Sequence, residues 1–155
     1  MKTNTCCFFG HRTINITAEL KSDLNGIIEK LITEHNVDTF LFGSKSQFNT
    51  LCYEQVTKWK EKYPNIKRVY VRAEFAEISK SYEEYLLESY EDTYYPEKLM
   101  GAGRAVYERN CIMIDQSHYC VVYSREDYKP QKRKSGTKLA LAYALHKGKY
   151  IILLP

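Results

Sequence analysis

Residues 38–63, DTFLFGSKSQFNTLCYEQVTKWKEKY, decide how this chain folds. Residues 39–42 form a short apolar segment typical of a strand, and Gly43 opens a loop after it. The residues that follow repeat apolar side chains with the period of an α-helix, at Phe48, Leu51, Cys52, Val56 and Trp59. A strand that runs through a small-residue loop into a helix presents backbone N–H groups and a positive dipole end, where phosphate and carboxylate groups bind favourably.

The same pattern occurs at residues 6–12 and, in a variant form, at residues 133–137. Strands are also predicted at residues 5–9, 67–74, 92–96, 118–124 and 150–154. Helices are predicted at residues 17–35, 79–89, 105–115 and 137–146, besides the one that ends near Tyr63. Because strands alternate with helices, the chain is predicted to be an α/β protein with βαβ crossovers.

The predicted architecture is therefore a Rossmann-like three-layer sandwich, with a mainly parallel sheet and helices on both faces, in a single domain of residues 1–155. In such sheets ligands bind beyond the carboxyl ends of the strands, so the three loops are expected to share one ligand there. The strand at residues 150–154 is nearly all apolar, which predicts that it is buried on both faces.

Net charge, apolar runs and cysteine usage limit the classes of function that are expected. A net charge of +4 is mild, so it permits an anionic ligand without requiring nucleic acid. The longest apolar runs fall far short of the ~20 residues of a membrane span, and no signal peptide is apparent, so no membrane partner is expected. The five cysteines are odd in number and lack CxxC spacing, which favours a reduced cytoplasmic protein without a metal site.

Several residues in the predicted loops have the chemistry to bind an anion. Arg12 and Arg109 can each present a guanidinium fork to phosphate, and glycine lets the backbone approach a ligand closely. The candidate ligand-binding residues are Gly10, His11, Arg12, Gly43, Ser44, Asn49, Thr50, Arg109, Asn110, Ser135, Gly136 and Thr137. The alternative interpretation is that these are turn glycines, helix caps, a packed histidine and solvated arginines.

A carboxylate would be needed if the protein were a hydrolase. Glu54 lies one helical turn after Thr50, so it is predicted to share the loop-facing side and to be the tentative catalytic residue. The alternative is a solvated acid on a helix face. The basic run at residues 129–134 would suit nucleic acid, although a solvated loop is the favoured interpretation.

Four segments in order resemble the SLOG superfamily, in particular the small bacterial YpsA-like proteins with a TGHRP opening. These segments are CCFFGHR at 6–12, FLFGSKSQFNTLCYE at 40–54, YERNCIMIDQSHYCVVY at 107–123 and SGTKLALAYALHKGKYIILL at 135–154. The resemblance implies a Rossmann-like fold that holds a nucleotide or nucleotide-derived molecule. By similarity, residues 10–12 stand on the family's GHR, 109–110 on its RN and 136–137 on its GGT, while Gly43, Asn49, Thr50 and Glu54 stand on its GG-x(4)-D-T-x(3)-E-like segment.

The departures from the family pattern affect the expected activity. Ser44 and Ser135 replace glycines, Asn49 replaces an acid, and Thr13 replaces a proline. The related LOG phosphoribohydrolases carry an acid where this chain has Ala140, so hydrolysis here would depend on Glu54 or Glu108. Three functions are therefore expected in decreasing order: a nucleotide sensor or weak nucleotide-processing protein, a nucleotide phosphoribohydrolase, and a single-stranded nucleic-acid binder. The last rests on the basic run at residues 129–134 and on tyrosines that could stack bases; the distant relative DprA binds single-stranded DNA, but kinship of fold does not carry that function here. A homodimer is expected only by analogy with relatives.

Overall fold

The chain alternates strands and helices from its first element to its last. The structure is a computed structural model that describes residues 4–43, 45–96, 104–124 and 136–154. The strands within these residues are β1 (Thr5–Phe9), β2 (Thr39–Phe42), β3 (Lys67–Val71), β4 (Asp92–Tyr94), β5 (Tyr119–Tyr123) and β6 (Tyr150–Leu154). The helices are α1 (Ala18–Thr33), α2 (Gln47–Lys62), α3 (Lys80–Leu87), α4 (Ala105–Asp115) and α5 (Gly136–His146).

The six strands form one sheet in the order β4-β3-β2-β1-β5-β6, and every neighbouring pair is parallel. From β1 the chain moves outward to β4 and then crosses to the other side of β1 for β5 and β6. The strand order therefore reverses between β1 and β5, which is where open parallel sheets bind ligands.

Two apolar clusters lie on opposite faces of the sheet. Cys6 and Phe8 of β1 point to one face and pack with the buried residues of α1 and α2. Cys7 and Phe9 point to the other face and pack with α4 and α5. This alternation gives a three-layer arrangement, so the predicted α/β, Rossmann-like sandwich with a parallel sheet and helices on both faces is confirmed.

Side-chain caps begin α1 and α2. Thr17 accepts a hydrogen bond from the Leu20 amide at 3.1 Å, and Ser46 accepts one from the Asn49 amide at 3.1 Å. Such caps satisfy N–H groups that the first helical turn leaves unpaired. They place the start of α1 after the β1 loop and the start of α2 after the β2 loop.

The prediction that β6 is buried on both faces is wrong. Tyr150 and Leu153 are each 54% exposed, and Leu154 is the buried residue of this strand. The physical reason is position, because β6 is the edge of the sheet and packs on β5 alone among the described strands.

The apolarity of the helices and the state of the cysteines were both considered in the sequence. Among the residues that the structure describes, no helix is long and apolar enough to span a membrane. The five cysteines are free thiols, and Cys6, Cys7, Cys52 and Cys120 are buried as small apolar residues.

Candidate functional site

A cleft of about 880 Å³ opens at the carboxyl ends of the strands. Its volume falls within the roughly 300–1,000 Å³ that small-molecule sites occupy. The walls are the segments after β1, β2 and β3, the first half of α4, and the start of α5. The predicted ligand-binding residues that line it are Gly10, His11, Arg12, Gly43, Asn49, Arg109, Asn110, Gly136 and Thr137.

Gly10 and Gly43 are required by packing between elements. A Cβ atom on Gly10 would lie 2.4 Å from Phe48 of α2, and one on Gly43 would lie 2.8 Å from Met113 Sδ and 2.9 Å from Arg109 Nε. All three distances are too short for a Cβ atom unless the neighbouring side chain moves. Gly10 thus lets the β1 loop rest on α2, and Gly43 makes room for the Arg109 side chain.

Gln47, the first residue of α2, makes two hydrogen bonds with the loop after β1. Its backbone N–H donates to the Arg12 carbonyl at 2.9 Å, and its side-chain Oε1 accepts from the Ile14 amide at 2.9 Å. The first-turn N–H groups of Gln47 and Asn49 are therefore occupied by Arg12 and Ser46. The start of α2 supports the cleft mainly by holding this loop in place.

Arg109 is the central cation of the cleft, and it is only 5% exposed. Nη1 donates to the Gly43 carbonyl, and Nε and Nη2 donate to Asn110 Oδ1 at 3.2 and 3.1 Å. No ion pair between described residues includes Arg109. Burial lowers the pKa of Arg109, while Tyr70 and Glu74 act in the opposite direction. The guanidinium is thus buried against neutral acceptors, without a carboxylate bound to it in the described part of the chain.

Asn49 supplies an unpaired acceptor to the same wall. Its Nδ2 donates to the Phe8 carbonyl at 3.2 Å, which sets the orientation of the side-chain amide. Its Oδ1 is buried and has no hydrogen-bond partner among the described residues. Buried polar atoms without partners are rare in proteins, so this oxygen calls for a donor such as water or a ligand group.

His11 is both packed and part of the cleft. It is 6% exposed, and its ring meets Tyr123 edge-on at 6.1 Å between centroids. Thr137, in the first turn of α5, is also 6% exposed. The α5 start therefore reaches the cleft with a buried hydroxyl side chain and the positive end of the helix dipole.

Seven of the described lining residues were not predicted as ligand-binding, and three of them, Lys45, Tyr70 and Glu74, carry ionisable groups. Lys45 and Glu74 are exposed, and Tyr70 is half-buried. Burial raises the pKa of Tyr70, while Arg109 and Lys45 act to lower it. Tyr70 and Glu74 stand at and just beyond the end of β3, so the rule that directed attention to the β1 and β2 loops would also have found them.

Thr50 and Glu54 do not reach the cleft, which corrects their predicted placement. They share one face of α2, as their spacing predicted, but both are exposed and neither lines the cleft. The hydroxyl of Thr50 donates to the Ser46 carbonyl at 3.2 Å. The buried face of α2 carries Phe48, Leu51, Cys52, Gln55 and Val56, so Glu54 lies outside it.

The remaining sequence candidates divide into two groups. Glu108 is half-buried on α4 and does not line the cleft, and Ala140 is 1% exposed within the α4–α5 core. Ser44, Ser135 and the basic run at residues 129–134 lie outside the residues that the structure describes. Among the described residues, no group of three or more His, Cys, Asp and Glu side chains could hold a metal ion.

A second groove, of about 630 Å³, lies at the opposite, amino end of the strands. Its walls include Thr5, Thr39, Leu41 and Tyr94, and a hydrogen bond joins the Tyr94 hydroxyl to Gln116 beside it. Neither Arg109 nor the unpaired Asn49 oxygen faces this groove, and parallel sheets bind ligands at the other end. We therefore assign the candidate site to the carboxyl-edge cleft.

The chain matches no protein-family model, and comparison with curated proteins gave no match.

Proposed function

We propose that the cleft binds a phosphorylated, nucleotide-type small molecule, and that the protein acts as a nucleotide sensor or weak nucleotide-processing protein. The observation that carries this proposal is the buried guanidinium of Arg109 without a bound carboxylate among the described residues. A buried charge costs several kcal/mol unless an opposite charge meets it. Phosphate fits a guanidinium in bidentate geometry, so it is the counter-ion that this position suits best.

The hydrogen bonds of Arg109 leave donors for such a ligand. A guanidinium has five N–H donors, and the bonds to the Gly43 carbonyl and to Asn110 Oδ1 use three of them. Because those acceptors are neutral, they orient the side chain without neutralising it. The geometry is that of a cation held in position for an anion.

The surroundings favour an anion as well. Arg12 and Lys45 are exposed cations on the cleft wall, and Gly136 and Thr137 begin α5 there. Against these, Glu74 is the one carboxylate among the described lining residues. The summed field of three cations and a helix N-terminus attracts negatively charged ligands.

The resemblance to the SLOG superfamily supports a nucleotide-type molecule in preference to a simple anion. The residues that carry the resemblance at 10–12, 109–110 and 136–137 come from three distant parts of the sequence, and all of them line the cleft. The cleft volume of about 880 Å³ is large enough for a phosphate, a sugar and a base.

The alternative functions have less support. A phosphoribohydrolase was expected to use Glu54 or Glu108, and neither lines the cleft. We therefore expect no release of free base from AMP or related nucleotides. The nucleic-acid alternative rests on residues 129–134, which the structure does not describe.

A thermal-shift screen tests the proposal, because a ligand that binds only the native state raises the melting temperature. The panel contains AMP, ADP, NAD, ADP-ribose, a single-stranded oligonucleotide, and adenosine as the control without phosphate. We expect a rise with at least one phosphorylated nucleotide and none with adenosine. An unchanged melting temperature across the whole panel would contradict the proposal, and a rise with the oligonucleotide alone would favour nucleic-acid binding.

A further inference from the structure

We propose that Glu74 makes the cleft selective for phosphorylated molecules whose sugar carries a vicinal pair of hydroxyl groups, as ribose does and 2-deoxyribose does not. This inference rests on the proposed function, because it assumes that phosphate binds at Arg109. Glu74 follows β3 by three residues and lines the cleft on the β3 side. No sequence motif directed attention to it.

Glu74 has acceptor oxygens that the described protein leaves unused. None of the ion pairs between described residues includes its carboxylate, although Lys45 and Arg109 line the same cleft. An ionised carboxylate only accepts hydrogen bonds, so a ligand group that meets it must be a donor.

Glu74 and Arg109 lie near the ends of neighbouring strands of the sheet. Arg109 donates to the Gly43 carbonyl at the end of β2, and β3 is the neighbouring strand, with Phe42 opposite Tyr70. Glu74 therefore lines the cleft from the strand next to the one that Arg109 contacts, and both side chains face the same cleft. Glu74 also acts on the pKa of both Arg109 and Tyr70, which places it near both without an ion pair.

The charge of the cleft disfavours a cationic donor on the ligand. An ammonium group on the ligand would be repelled by Arg12, Lys45 and Arg109. A neutral hydroxyl group is not repelled, and the two oxygens of one carboxylate can accept from two adjacent hydroxyls. A phosphate at Arg109 and a vicinal diol at Glu74 therefore satisfy both ends of the cleft with one sugar phosphate.

Matched ligand pairs test this inference by isothermal titration calorimetry. The pairs are AMP with 2′-deoxy-AMP, GMP with 2′-deoxy-GMP, and ribose 5-phosphate with 2-deoxyribose 5-phosphate. We expect the wild-type protein to bind the ribose member of a pair about tenfold more tightly or better, since hydrogen bonds to charged groups are among the stronger ones. A site built to bond a hydroxyl group discriminates against the analogue that lacks it.

Variants locate the discrimination at Glu74. Glu74→Ala is expected to bind both members of a pair with similar affinity, and Glu74→Gln to keep part of the preference because its amide oxygen still accepts. Glu77→Gln is the matched control, since Glu77 is an exposed acid three residues further on that does not line the cleft. It should retain the full preference.

The outcomes separate the two proposals. Equal affinity of the wild-type protein for both members of every pair would overturn the inference about Glu74 and leave the proposed function standing. An undiminished preference in Glu74→Ala would overturn it as well. Absence of binding by all six compounds would overturn the inference, and only an unchanged melting temperature across the thermal-shift panel as well would overturn the proposed function.

Discussion

Arg68 and Arg109 show two ways of holding a guanidinium in the same protein. Arg68, near the amino end of β3, donates from Nε and Nη2 to the two carboxylate oxygens of Glu91 at 3.0 and 2.7 Å. Its Nη1 donates to Thr57 Oγ1 at 3.1 Å and to Tyr53 Oη at 3.3 Å. Arg109, in the cleft at the carboxyl edge, is more deeply buried and bonds only to uncharged acceptors among the described residues.

The two environments shift the arginine pKa values in opposite directions. The hydrogen bond with Glu91 raises the pKa of Arg68, whereas burial lowers the pKa of Arg109. The protein therefore provides a bidentate carboxylate for the cation that needs it less. Arg68 thus has its counter-ion within the protein, and the lack of one at Arg109 among the described residues supports the proposal that a ligand supplies it.

The largest expected effect is at Arg109. Arg109→Ala should weaken nucleotide binding by about 1.5–3 kcal/mol, because a charge-assisted contact is lost, which is roughly ten- to hundredfold in affinity by titration calorimetry. Arg109→Met should leave the free energy of unfolding of the ligand-free protein unchanged or raised, since it removes an uncompensated buried charge.

Arg104→Ala is the matched control for this experiment, because Arg104 is exposed and does not line the cleft. A large loss of stability in Arg109→Met, with nucleotide affinity retained in Arg109→Ala, would mean that Arg109 stabilises the fold, as Arg68 does, and does not bind the ligand.

Gly43→Ala should disturb the packing of the Arg109 side chain, which the wild-type glycine makes possible. Its Cβ atom would lie 2.9 Å from Arg109 Nε and 2.8 Å from Met113 Sδ, so one or both side chains must move. Overpacking of this kind costs about 1–3 kcal/mol in the free energy of unfolding, measured in urea. We also expect weaker nucleotide binding.

Gly26→Ala is the control for Gly43→Ala, because Gly26 lies within α1 and a Cβ atom there meets nothing within 4 Å. It should stabilise the protein by about 0.4–1 kcal/mol through the unfolded state. If Gly43→Ala behaves like Gly26→Ala, the close packing of Gly43 on Arg109 is not what holds the guanidinium.

Arg12→Ala should weaken nucleotide binding less than Arg109→Ala does. Arg12 is exposed, so solvent and salt screen its charge. We expect a loss near the lower end of the range for charged hydrogen bonds, about 1.5 kcal/mol, and a smaller loss when the titration is repeated at high salt. Unchanged affinity in both arginine variants would contradict a shared phosphate site.

The smallest expected effect concerns Glu91 and pH. Burial raises the pKa of Glu91, but hydrogen bonds from Arg68 outweigh it, so the net pKa lies below the ordinary 4.5. A carboxyl group with a lowered pKa contributes stability above its unfolded-state pKa and loses it as pH falls through the folded-state value. Because both partners are partly exposed, the contribution should be at most about 1 kcal/mol.

Urea unfolding at pH 6 and at pH 3 measures how much the ionised Glu91 contributes to the free energy of unfolding. The wild-type protein should lose more stability than Glu91→Gln over that interval, and Glu91→Gln should bind nucleotide normally. Equal losses in the two proteins would mean that the Arg68–Glu91 pair adds nothing to stability, which would weaken its contrast with Arg109.

Much of the fold could be predicted because its signals are local. The helix predicted at residues 105–115 is observed as Ala105–Asp115, and the strand predicted at 5–9 as Thr5–Phe9. Parallel strands then bring the segments after β1 and β2 to the same edge of the sheet, so the presence of Arg12 and Gly43 in one cleft also followed from the pattern. The exposure of β6 did not, because strand order depends on pairings between distant segments.

The errors at the site have two different causes. Glu54 was aligned with Thr50, and both fall outside the apolar stripe of α2, so the sequence held the information that corrects their placement. The burial of Arg109 was not visible in its neighbours, since Glu108 and Asn110 give an ordinary polar helix segment. It depends on the missing side chain of Gly43, which is far away in the sequence.

The two hydrogen bonds between Gln47 and the loop after β1 bear on the kinetics of ligand binding. Since Gln47 bonds both Arg12 and Ile14, the loop after β1 is ordered on α2 before any ligand arrives. Ordering a free loop costs roughly 1–2 kcal/mol of conformational entropy per residue, and that cost would be subtracted from the affinity. Folding has already met this cost for the loop after β1, so we expect that binding of the proposed nucleotide does not wait for this loop to close.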